Sequence, residues 1–209
     1  MERCASRFRP RGEKEGCSPL IVDSLVLASA SPRRREILHR LGLDFEVIAP
    51  GGDGPEVAGS PRNQVLGYAR WKAEVVHKEQ ADRVVLAADT LVFLDESALG
   101  KPSNKEQARL MLESLFGRTH KVWTGACLIS QSGSVFETAD CAVVEFDIPD
   151  KEDFGDYLDG NEWADKAGAY GIQGWASRWA RVVEGEEETV IGLSSKAVVA
   201  LLAKLTLAP

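Results

Sequence analysis

Between Val84 and Leu94 the chain reads Val-Val-Leu-Ala-Ala-Asp-Thr-Leu-Val-Phe-Leu. This apolar segment is too short for the roughly 18 residues of a membrane span, and Asp89 interrupts it. Val84–Ala88 reads as a strong buried strand, with Leu91–Leu94 as a further apolar stretch beyond Asp89-Thr90. Leu25–Ala28 is a second, shorter strand. Ser31-Pro32 then opens a helix through Arg33–Leu41, with Ser31 as N-cap and Pro32 at the first helical position, ending at Gly42. Phe45–Ala49 reads as a strand, residues 50–59 as a Gly/Pro-rich loop, and Ser60-Pro61 as the start of a helix to about Gln80. Ser103-Asn-Lys-Glu106 has the form of a capping box before a helix to about Phe116. Val122–Ser130 and Val135–Phe146 form a hairpin around Ser132-Gly133. Pro149–Leu158 is a short helix, residues 160–177 a long loop, Arg178–Glu184 a strand and Ser194–Leu205 a closing helix. Strands that alternate with helices early and pair as a hairpin later predict an α/β fold with a mixed sheet flanked by helices.

The first 23 residues are polar, Arg-rich and broken by Pro10, Gly12, Gly16 and Pro19. They are expected to be a flexible N-terminal extension, with residues 24–209 as a single domain. They lack the apolar core of a secretory signal. Cys4, Cys17, Cys127 and Cys141 form no CxxC pair, and three histidines make a His/Cys metal site improbable. The expectation is reduced thiols and a cytoplasmic protein without a membrane segment. Net charge is -7, yet residues 1–40 hold nine Lys+Arg against five Asp+Glu. A basic cluster on an acidic body suits a small anionic ligand better than nucleic acid.

Four segments could carry chemistry. In Leu27-Ala-Ser29-Ala-Ser31-Pro32-Arg33-Arg34-Arg35 a strand feeds a helix N-terminus, whose free N–H groups and dipole favour an anion. Ser29 adds a hydroxyl, and Arg33 and Arg34 add forks suited to phosphate, although a solvated charge run would look similar. Asp89 at the end of a buried strand costs desolvation unless a metal or a hydrogen bond receives it, or unless it only caps a turn. Lys101, in Gly100-Lys101-Pro102, sits on a rigid turn, and Lys72 sits on a helix face; each is a weak signal alone. Finally, Gly168, Gly171 and Gly174 punctuate a loop in which Gln173 carries a donor and an acceptor, the chemistry needed to read a base edge. An ordinary flexible loop is the competing reading.

Together these stretches resemble the Maf family of nucleoside triphosphate pyrophosphatases, also known as septum formation inhibitors. LASASPRRREIL, ARWKAEVV, AADTLVFLDESALGKP, ARLMLESLFGRTHKVWTGA, DKAGAYGIQG and EGEEETVIGL follow the family's order over roughly residues 25–202. The resemblance implies hydrolysis of a nucleoside triphosphate to monophosphate and pyrophosphate, a divalent cation (Mg²⁺ or Mn²⁺), an elongated two-lobed fold with a central cleft, and often a homodimer. It implies that Asp89 is the proton acceptor, that Arg33, Thr90 and Gln173 set substrate specificity, and that Ser29, Arg34, Lys72 and Lys101 contact phosphate. The GIQG stretch is similar to the dTTP/UTP group rather than the 7-methyl-GTP group. A metal would involve Asp89 with Asp53 or Glu56, because the loop GGDGPEVAG stands where the family has an Asp-Glu pair. Trp175 and Trp179 replace small residues of the family; Trp175 would stack on the base or narrow the pocket, unless both pack in the core. A non-catalytic nucleotide-binding regulator of cell division is the alternative; the acid and the lysines favour the enzyme.

Overall fold

The computed structural model describes residues 24–52 and 54–207. Chain order is β1 (Leu25–Leu27), α1 (Pro32–Arg40), β2 (Phe45–Val47), α2 (Pro61–His77), β3 (Val84–Leu94), β4 (Ser97–Leu99) and α3 (Lys105–Leu115). A long hairpin of β5 (Arg118–Ile129) and β6 (Val135–Phe146) follows, then α4 (Lys151–Asp159), β7 (Ala180–Glu184), α5 (Glu187–Ile191) and α6 (Ser195–Leu207). The strands form one mixed sheet in the order β2-β1-β3-β5-β6-β7, with β4 also paired to β3. β1 lies parallel to β2 and β3, and the remaining pairs are antiparallel.

Helices cover the sheet on both faces. Ile37 and Leu38 of α1 join Val198, Leu201 and Leu202 of α6 over Leu25, Leu27, Val84, Leu86 and Ala88. Ala69, Ala73 and Val76 of α2 lie over Val26, Val85, Ala87 and Cys127. A third core gathers Leu112 and Leu115 of α3, Tyr157 and Leu158 of α4, Phe146, Trp163, Tyr170 and Trp179 around the far ends of β3, β5 and β6. No helix among the described residues is long and apolar enough to cross a membrane.

Several local expectations shift. β3 does not stop before Asp89: it pairs with β5 in unbroken register from Val85 to Phe93, with Asp89 opposite Gly125. The ladder outweighs the turn tendency of one acid. Ser31 has the extended backbone of an N-cap, but its side chain makes no capping bond. Ser60 does cap α2, accepting from the Asn63 N–H. In α3 the cap is Asn104, not Ser103; it accepts the Gln107 N–H at 2.8 Å while Gln107 accepts from the Ser103 N–H. The reciprocal pair is thus displaced by one residue. The expected loop 160–177 holds three 3₁₀ turns, Glu162–Asp165, Ala167–Ala169 and Trp175–Arg178, the last running one residue past it, so β7 begins only at Ala180. β4 and α5, absent from the sequence reading, are three and five residues long. Elements that short carry no periodicity to detect.

Candidate active site

β5 occupies one edge of β3. The other edge is divided: β1 pairs with Val84–Leu86 and β4 with Val92–Leu94. Between them, Ala87–Leu91 has no strand neighbour on that side. Asp89, Thr90 and Leu91 are the β3 residues that are not fully buried. The gap opens into a cleft of about 950 Å³ lined from one side by Ser29, Arg33, Arg34 and Lys72 and from the other by Lys101, Glu162, Asp165 and Gln173.

Strand alternation decides what each floor residue meets. Val85 and Ala87 face α2, whereas Val84, Leu86 and Ala88 face α1 and α6. The period of two therefore sends Asp89 toward α2 and Thr90 toward α1. On the α2 side, Lys72 Nζ donates to Asp89 Oδ1 at 2.5 Å. Gly125, the cross-strand partner of Asp89, makes this approach possible. A Cβ there would lie 2.6 Å from the backbone carbonyl of Val65, in α2. With no side chain at Gly125, α2 settles directly on the sheet and its lysine reaches the acid.

On the α1 side, Arg34 is buried and held at three points. Its Nε donates to the Gly192 carbonyl at 2.8 Å, one terminal nitrogen to Ser29 Oγ at 3.1 Å, and the other to Thr90 Oγ1 at 3.1 Å. Thr90 Oγ1 lies 2.8 Å from Thr124 Oγ1, and Thr124 donates to the Thr189 carbonyl. Burial pushes the Arg34 pKa down, the Asp89 charge pushes it up and the Arg33 charge pushes it down again. Guanidinium has five N–H groups. Three are used here, which leaves two for a ligand and a rigid frame to aim them. Ser29 Oγ also accepts the Ser31 N–H at 3.3 Å, so its own hydroxyl proton remains to be donated.

Across the cleft, Arg33 reaches Asp165 at 3.5 Å. Burial pushes the Asp165 carboxyl up, but its hydrogen bond from Lys166 and the charges of Lys166 and Arg33 outweigh that and hold it below the usual carboxylate range. Lys101 and Gln173 are both exposed in the cleft.

The structure thus brings Ser29, Arg33, Arg34, Lys72, Asp89, Thr90, Lys101 and Gln173 to one cavity. Lys72 is engaged by Asp89 rather than standing clear of it. Of the two loop acids, Asp53 lies outside the described residues, and Glu56 is exposed and is not among the cleft-lining groups. No group of three or more His, Cys, Asp or Glu residues suited to a metal occurs among the described residues. Trp175 and Trp179 do not line the cleft. Their indole N–H groups both bind Asp153 of α4, at 2.8 and 2.7 Å, so core packing is the reading that holds for them. Sequence reading missed Thr124, Gly125, Glu162 and Asp165. Only Glu162 and Asp165, as acids beside the glycine-rich loop, left a trace in the sequence.

A family model described as Maf-like protein matches residues 24–205. A protein of Pyrococcus abyssi named dTTP/UTP pyrophosphatase is 42% identical over 178 residues, covering 85% of this chain and 94% of its own. One of the same name from Aquifex aeolicus is 39% identical over 183 residues, covering 88% and 96%. Among solved structures, a HAM1 protein from Coxiella burnetii aligns with a TM-score of 0.54 at 18% identity, over 88% of this chain and 99% of that one. That likeness concerns the fold.

Proposed function

The chain belongs to the Maf-like protein family, and from that premise we propose that it hydrolyses nucleoside triphosphates between the α and β phosphates, dTTP and UTP before others. The observation that carries this reading is the meeting of Asp89 with Arg33, Arg34, Lys72 and Lys101 around one cleft, whose far wall adds Glu162, Asp165 and Lys166. A triphosphate needs such neutralisation, and more of it as charge moves onto the leaving pyrophosphate. Its relatives' names point to the same substrates.

Asp89 accepts a proton from the attacking water, which adds to the α-phosphorus as the bond to the bridging oxygen of pyrophosphate breaks. Lys72 fixes the carboxylate through Oδ1 and brings a positive charge beside the reacting centre. Arg34, locked by Ser29, Thr90 and Gly192, presents its two remaining N–H groups, and Ser29 its hydroxyl, to phosphate oxygens. Arg33 and Lys101 close on the chain of phosphates from opposite sides. Gln173 reads the O4 and N3–H edge of uracil or thymine.

The residues fit a divalent cation that arrives with the nucleotide rather than a preformed cage. Asp89 offers a hard oxygen ligand, and Mg²⁺ is commonly held by one or two carboxylates together with substrate phosphates. Such an ion would lend charge stabilisation to the phosphates. Asp89 would hold it, and the described residues place no second acid of the GGDGPEVAG loop in the cleft.

The deciding experiment incubates the protein with UTP, dTTP, CTP, GTP and 7-methyl-GTP, with Mg²⁺ or Mn²⁺ and with chelator, and resolves pyrophosphate from orthophosphate. Pyrophosphate with the matching monophosphate is expected, fastest from UTP and dTTP. Tight binding without turnover would replace the enzyme by a nucleotide-binding regulator.

A further inference from the structure

Gln173 stands at the tip of a turn closed by the Gly174 N–H on the Gly171 carbonyl, at 3.1 Å. Ile172 is buried in the neighbouring core and anchors the turn, while Gln173 faces the cleft. What lies beneath the turn is a charge. Glu162 Oε2 accepts the backbone N–H of Trp175 at 3.0 Å. Its other oxygen, Oε1, is buried and has no hydrogen-bond partner. The turn is pressed against that oxygen so closely that a Cβ on Gly174 would fall 1.8 Å from it. The stem of Lys166 covers Gly171 in the same way, with a would-be Cβ 2.7 Å from Lys166 Cε. The Lys166 ammonium in turn binds the Glu162 carbonyl and the Asp165 carboxylate.

A half-paired carboxylate under a glycine turn is expensive, because its second oxygen has lost water and gained nothing. Polar groups left short of partners in this way are expected where function rather than stability is served. The carboxylate also differs from an amide in one respect: it only accepts. A carboxamide such as Gln173 can turn about its own terminal bond to meet either uracil or cytosine, so its selectivity rests on the turn fixing the distance and angle at which it approaches the base. Both glycines of the turn admit side chains of the 162–166 segment, and Gly174 admits Glu162 itself.

We propose that Glu162 is a positioning residue for base selection, its carboxylate wedged beneath the Gly171–Gly174 turn so that Gln173 meets the base in one pose. This rests on the reading that Gln173 reads the base. Without the wedge the turn shifts, Gln173 accommodates cytosine more readily, and preference for uracil and thymine narrows. Phosphate contacts, made by other elements, are unaffected.

The test measures kcat and KM for UTP, dTTP and CTP, with melting temperatures, on the full chain. The variants are Glu162→Ala, Glu162→Gln, Gly174→Ala, Gln173→Ala and the double variant Glu162→Ala/Gln173→Ala. Glu162→Ala is expected to lower the UTP:CTP ratio of kcat/KM by roughly tenfold, the scale of one hydrogen bond no longer enforced, mainly through KM for UTP. Gly174→Ala should do the same: its φ of -101° suits alanine, so the methyl acts by displacing the carboxylate. It also carries the test should Glu162→Ala fail to fold. Glu162→Gln keeps the length and an acceptor for Trp175 and should restore most of the ratio. In the Gln173→Ala background, loss of Glu162 should add nothing. A ratio that survives both Glu162→Ala and Gly174→Ala while all rates and the melting temperature fall together would make Glu162 a structural brace and overturn the proposal. If Gln173→Ala by itself leaves the ratio intact, the base-reading role of Gln173 is what has failed.

Discussion

Asp89 and Arg34 line the same cleft, yet their side chains are spent differently. Asp89 makes one side-chain hydrogen bond among the described residues, to Lys72. Replacing it with Asn keeps size and a hydrogen-bonding oxygen but removes the base. Turnover is expected to fall by about 10²–10⁴-fold, the usual contribution of a general base, with the melting temperature little changed; wild-type rates in the purified variant would refute the assignment. Arg34 is both frame and ligand group. Arg34→Lys keeps the charge but cannot span Ser29, Thr90 and Gly192 at once. It should lower kcat/KM for every nucleotide alike and also lower the melting temperature. An unequal loss across bases would assign Arg34 to base reading. A third residue speaks through pH. His120 is buried; one ring nitrogen lies 2.6 Å from the Tyr170 hydroxyl and the other has no partner. Burial pushes its pKa down from 6.5 to about 4. The unfolded chain therefore binds the proton first, and stability is lost as pH falls from about 6.5 toward 4, by up to roughly 3 kcal/mol from this group. His120→Gln removes the titration, so its melting temperature should decline less steeply over that window than the wild type's.

Elements fix how these side chains arrive. The site exists because β3 changes partners along one edge, from β1 to β4, leaving Ala87–Leu91 uncovered where the ligand must enter. It also depends on a helix lying flush on the sheet. Gly125→Ala would drive a methyl into the α2 backbone at Val65. Overpacking of that kind costs about 1–3 kcal/mol, and it would lift Lys72 away from Asp89. The expected result is a lower melting temperature together with a lower kcat, whereas a change in stability alone would separate the helix contact from catalysis. On the opposite side, Asp153 at the start of α4 accepts from Trp175, Trp179 and Arg178. These bonds, with the Arg178 charge, outweigh burial and hold its carboxyl below the usual range. The two tryptophans so pinned are not among the residues lining the cleft, which removes them as candidates for stacking on a base.

At the scale of the molecule, β5 and β6, each of twelve residues, run through both ends of the protein and tie its three cores into one sheet. The cleft lies between those cores, and the Arg33–Asp165 pair spans it. The family match begins at residue 24, and among the described residues nothing before Ala28 lines the cleft. A chain beginning at Ser24 is therefore expected to fold and turn over at the wild-type rate; a loss of activity or of solubility would show that residues 1–23 belong to the working protein.

Much of this was legible in the sequence because it is written locally. Apolar runs, Ser-Pro helix starts and the alternation of strand and helix specify a mixed sheet, since each is a property of adjacent residues. The glycine-punctuated loop and the basic turn after β1 supplied Ser29, Arg33, Arg34 and Gln173 for the same reason, whereas Lys72 and Lys101 were weak signals alone and were singled out by the family resemblance. What the sequence could not contain is distance. That Asp89 lies inside a continuous strand is decided by its ladder with β5, and that Lys72 meets it is decided by an absent side chain on another strand. The roles of Glu162 and Asp165 depend on a turn folding back over them. These are contacts between residues far apart in the chain, and only close packing of the whole molecule sets which of them can form.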